Sequence, residues 1–117
     1  MIKDSRELAI QIGNILDEKK AEDIILLDIH HITVIADFFV ICSGRSTIQV
    51  KALCDEVEAK MEEKGYAPYR KEGYAEGRWV VLDYGDVILH IFHEEERQFY
   101  NIERLWADGE TLSLSNG

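Results

Sequence analysis

The sequence predicts a single α/β domain, a mixed β-sheet with flanking helices. Three observations carry this. Two segments near the start and middle space their apolar residues at helical intervals. Two short runs between them, Ile24–Ile29 and Phe38–Cys42, are rich in β-branched and aromatic residues and of strand length. A third region, Gly77–Phe92, alternates apolar residues around a Gly-Asp pair, the pattern of a hairpin. The 117 residues suffice for one core, and neither a repeat nor a linker interrupts them.

The first helix is read from Leu8, Ile12, Ile15 and Leu16, with Asp4 or Ser5 as its cap and Glu7 in its first turn. The two apolar runs follow as strands. Their nearly continuous apolarity, interrupted at Asp28, predicts cover on both faces. Residues 32–35 between them are either a strand extension or a loop. Ser46 and Gln49 then form a capping box ahead of a second helix, whose stripe is Val50, Leu53, Val57 and Met61 and whose stop is Gly65. Pro68 restricts the stretch 66–77 to loop or edge strand. Glu94–Glu96 suit the N-terminus of a last helix lined by Phe99, Ile102, Leu105 and Trp106 and ended by Gly109. The domain is expected to occupy residues 1–109, with 110–117 a loose tail.

The hairpin raises a functional question. A turn at Gly85-Asp86 pairs Tyr84 with Val87, Leu82 with Leu89 and Val80 with Ile91, which makes one face plain core. The other face carries Trp79, Val81, Asp83, Ile88, His90 and Phe92, with Trp79 opposite Phe92. Asp83 and His90 fall diagonally across it, within possible reach of each other. An acid–histidine dyad needs a nucleophile or metal to do chemistry, and no serine or cysteine is tied to this one by sequence. His30, His31 and His93 show no ligand spacing on a helix or in a cysteine cluster. A half-buried sheet histidine, a face covered by the protein's own helices, and an aromatic docking patch are the alternatives. The junction Cys42–Ser46 ("CSGRS") is a glycine turn before a helix and offers either simple capping or a phosphate site. Nucleotidyl transfer there would require paired acids for Mg²⁺, and Asp83 and Asp86 have the wrong spacing for one strand face.

Charge narrows the partners. Thirteen Lys and Arg against 23 Asp and Glu give a formal net charge of −10. Such a chain is repelled by nucleic-acid backbones and attracted to basic proteins. Cys42 and Cys54 read as buried free thiols. No apolar run approaches membrane-spanning length, and the start, MIKDSREL, has no apolar signal core, so a cytoplasmic location is expected.

Three blocks carry a resemblance: ADFFVICSGRSTIQVKALCDEV (36–57), GRWVVLDYGDVILHIF (77–92) and ERQFYNIERLW (96–106). Together they resemble the Iojap-like ribosome silencing factors, in the right order over nearly the whole chain. The resemblance implies a fold similar to a degenerate nucleotidyltransferase without its catalytic acids. It implies no enzyme activity and no cofactor. The implied partner is the large ribosomal subunit, bound through its protein fourteen, a small basic protein, so that the bulk of the factor blocks subunit joining and lowers translation when nutrients are scarce. Homodimers are implied for the free factor, and little direct nucleic-acid contact. The candidate partner-binding residues are Trp79, Val81, Asp83, Ile88, His90 and Phe92 on the hairpin, extended by Arg97, Tyr100 and Trp106. Trp79 is expected to be exposed enough that its loss leaves folding nearly intact, while Trp106 fits core equally well. A nucleotide-handling enzyme and a dimeric scaffold are the competing readings.

Overall fold

The structure, a computed structural model, describes residues 2–106 and 108–112. Its elements run α1 (Ser5–Glu18), β1 (Glu22–Asp28), β2 (Phe38–Gly44), α2 (Thr47–Glu63), β3 (Arg70–Glu72), β4 (Trp79–Asp83), β5 (Val87–His93), α3 (Glu94–Tyr100), α4 (Ile102–Leu105) and β6 (Glu110–Leu112). The six strands form one sheet in the order β3-β4-β5-β2-β1-β6. β2 and β5 pair in parallel and all other neighbours are antiparallel, so the sheet is mixed as expected.

The local signals act as their chemistry requires. Asp4 accepts a hydrogen bond from the Glu7 amide at 2.9 Å and caps α1. Ser46 Oγ accepts from the Gln49 amide at 3.0 Å. Gln49 reaches back one residue further than a capping box demands, taking the Arg45 amide at 2.7 Å. The hairpin register is Trp79–Phe92, Val80–Ile91, Val81–His90, Leu82–Leu89 and Asp83–Ile88, as the alternation predicts. Gly85, at φ +89°, provides the left-handed turn residue.

β2 lies mid-sheet with all seven residues buried. One sheet face packs under α1 and α2 around Ile12, Leu16, Val50, Val57, Val80, Leu82, Leu89 and Ile91. The other face carries a smaller core of Leu27, Ile29, Phe39, Ile41, Phe92 and Ile102. Here the structure departs from the expectation of one last helix. The chain breaks at Asn101, which is left-handed at φ +46°, and splits that helix into α3 and α4. Of the expected stripe, Ile102 is buried and Phe99 is 81% exposed, because the break rotates one half relative to the other. The tail is also corrected. Residues Glu110–Leu112 pair with Asp28–Leu26 as an edge strand, and 113–117 lie outside the described residues. No helix among the described residues is long and apolar enough to cross a membrane.

Candidate functional site: an aromatic ladder with an acidic rim

The second hairpin face is partly a core, and this corrects the reading of it as an open patch. Phe92 is fully buried, and His90 and Arg97 are each 8% exposed. These three are almost wholly withdrawn from solvent and support more exposed neighbours. Trp79 is half-buried. Its ring stacks on Phe92 with centroids 4.9 Å apart, and Tyr100 lies 4.8 Å away on α3. Phe99 meets Tyr100 edge-on at 5.0 Å. The result is a ladder rising from the buried Phe92 through Trp79 to Tyr100, which is 46% exposed, with Phe99 beside it. Gly73 makes the entry to β4 possible: it adopts φ +80°, and a Cβ there would sit 2.0 Å from the Trp79 carbonyl oxygen.

His90 and Asp83 do not bond to each other. The Trp79 Nε1–H donates to His90 Nδ1 at 3.1 Å. The proton of neutral His90 therefore sits on Nε2, which is buried and has no hydrogen-bond partner among the described residues. Burial pushes the His90 pKa down to about 4. Phe39 packs edge-on against its ring at 4.8 Å. Asp83 accepts instead from the Gly85 amide at 2.7 Å and so braces the turn. Val81, Asp83 and Ile88 are half-buried along the hairpin. Trp106 packs against Phe39 at 5.3 Å and belongs to the edge of the second core rather than to the rim.

Arg97 has a different task from the one its sequence position suggests. It donates to Ser43 Oγ at 2.8 Å and to both Glu103 oxygens at 3.2 Å, joining α3, α4 and β2. Ser43 is thereby used, and Ser46 is a helix cap. A Cβ on Gly44 would approach Val50 Cγ2 to 3.1 Å, so the Cys42–Ser46 turn is closed by its own helix. Burial raises the Cys42 and Cys54 thiols to about 12, and both are free, as expected.

Around the ladder the charge is negative. Arg78, which the sequence reading missed, donates to Glu96 at 2.8 Å and Glu95 at 3.0 Å. The hydrogen bond from Arg78 holds the Glu96 carboxyl below its usual range. Glu94 stays exposed, and Glu103 is engaged by Arg97. The signal for Arg78 was its place beside Trp79, across the sheet from three acids; His93, whose Nδ1 accepts from the Glu95 amide at 3.2 Å and caps α3, carried none.

Comparison with known proteins decides the family. The model of the family described as "Ribosomal silencing factor during starvation" matches residues 2–116. The chain belongs to the ribosomal silencing factor family. It is 44% identical over 110 residues to a ribosomal silencing factor of Halalkalibacterium halodurans, covering 94% of each chain. It is 45% identical over 101 residues to that of Bacillus subtilis, covering 86% of each. A crystal structure of a protein from Chromobacterium violaceum superposes with a TM-score of 0.87 at 34% identity, covering 95% of this chain and 92% of that one. The resemblance noted in the sequence is borne out at the level of family and fold.

Proposed function

We propose that the protein silences ribosomes by binding the large subunit through its basic protein fourteen, so that its bulk obstructs the small subunit. Membership of the silencing-factor family is the observation that carries this reading. The geometry supports it with a surface of the right kind: exposed aromatics on a rigid sheet, flanked by acids, suit a basic partner. Tyr100 and Phe99 are its contact residues, Trp79 its half-buried base, and His90, Phe92 and Arg97 its supports. Action by binding alone also agrees with Asp83 and His90 each being committed to other bonds.

Co-sedimentation with purified large subunits tests the reading. Tyr100→Ala should weaken binding roughly fivefold or more, a loss above about 1 kcal/mol, with melting unchanged. Trp79→Ala should lower both binding and melting, since it removes the stack on Phe92 and the His90 bond. Wild-type protein that stays in the supernatant would overturn the reading, and undiminished binding of Tyr100→Ala would move the contact elsewhere.

A further inference from the structure

Three strands across the sheet from Trp79, the exit of β1 gathers a separate group of metal-ligating side chains. Asp28 ends the strand, and His30 and His31 follow in the turn. His30 Nδ1 lies 2.5 Å from Asp28 Oδ1. The two imidazoles stand 5.4 Å apart at 70° to one another. One ligating atom from each of the three residues falls within 4.8 Å of the others. In the sequence the two histidines matched no ligand spacing on a helix; a strand end followed by a turn brings them together instead.

The surroundings favour a cation. Asp28 stands directly opposite Glu110 of β6, a like-charge pair that costs stability when uncompensated. Residues 21–37 and 105–112 contain no lysine or arginine. Among the described residues no lysine or arginine forms an ion pair with Asp28 or Glu110. The similar group His93, Glu95 and Glu96 differs, because Arg78 already pairs with both its acids.

We propose that Asp28, His30 and His31 form a binding site for a late first-row divalent ion of the Zn²⁺ class. Two imidazoles and one carboxylate are the donor set such ions prefer over Mg²⁺ or Ca²⁺, which take oxygen ligands. The ion would also offset the repulsion between Asp28 and Glu110, and so fasten β6 to the sheet.

Zinc titration of the chelator-treated full chain, followed by calorimetry and by amide NMR, tests this. One Zn²⁺ per chain is expected, with shifts concentrated at residues 28–31 and 108–112 and a zinc-dependent rise in melting temperature. His30 and His31 are exposed, so His30→Ala and His31→Ala should still fold without metal. Each should bind zinc at least about tenfold more weakly, since even the loss of an outer-shell partner costs about 10–100-fold. Glu95→Gln should leave zinc binding unchanged. Binding that survives in both histidine variants, binding lost in Glu95→Gln, or no heat and no shifts at millimolar zinc would each overturn the site.

Discussion

His90 shows how one side chain can be polar in kind and structural in role. Its pKa falls from 6.5 to about 4 through burial. Between those values the unfolded chain binds a proton that the folded protein refuses, so stability must decrease as pH falls through that window and level off below it. A depression of this size corresponds to about 3 kcal/mol. Other shifted groups act elsewhere. Asp28 and Glu96 have lowered pKa values, and the stability they contribute is lost only below their unfolded values of 3.8 and 4.5. His30 is raised above 6.5 by Asp28, so its contribution is constant below that pH and declines above it. Urea unfolding of wild type and His90→Phe at pH 6.5 and pH 4.5 isolates the effect, because the variant keeps every other titrating group and loses only His90. The wild type should lose more stability over that interval than the variant. Equal losses would show that His90 becomes protonated in the fold without difficulty.

At the scale of elements, α3 and α4 pose a problem of stability. Helices of seven and four residues are too short to persist alone. They hold by Ile102 in the second core and by Arg97, which links them to Ser43 of β2. Breaking that buried charge-assisted link by Arg97→Ala should cost about 1.5–3 kcal/mol. Amide exchange should quicken across 94–105 and stay slow in β2 and β5; unchanged protection in 94–105 would mean that Arg97 fastens nothing. This is also where the sequence was least legible. The hairpin register could be read because side chains alternate and Gly85 marks the turn, and α2 because Ser46, Gln49 and Gly65 bracket its stripe. The break at Asn101 left no periodic trace, since the apolar spacing from Phe99 to Trp106 continues through it unaltered. A three-residue strand such as β6 is too short to show alternation at all. The two-faced hairpin was therefore legible in the sequence, while the cover of its second face by α3 and α4, and with it the burial of Phe92, His90 and Arg97, followed only from tertiary packing.

For the whole molecule the net charge of −10 dominates, and salt should act on it in two opposed ways. Like charges distributed over one small domain repel, which opposes compaction. The pairs that offset this, such as Arg45–Glu22, Arg70–Glu72 and Arg78–Glu95, have at least one partner well exposed, and pairs of that kind contribute little. Added salt screens both, but the repulsion is the larger sum, so the melting temperature should rise with ionic strength. Association with a basic partner runs the other way. The same field that destabilises the free protein draws it toward positive charge, and screening shortens its reach to about 10 Å at 0.1 M and about 3 Å at 1 M. On the proposed function, stopped-flow mixing with large subunits should show an association rate that falls as salt rises, while the dissociation rate, set by short-range contacts, changes little. An association rate indifferent to salt would remove electrostatic steering from the account. A melting temperature that falls with salt would show that the surface ion pairs, and not the excess of acid, set the electrostatic balance of the fold.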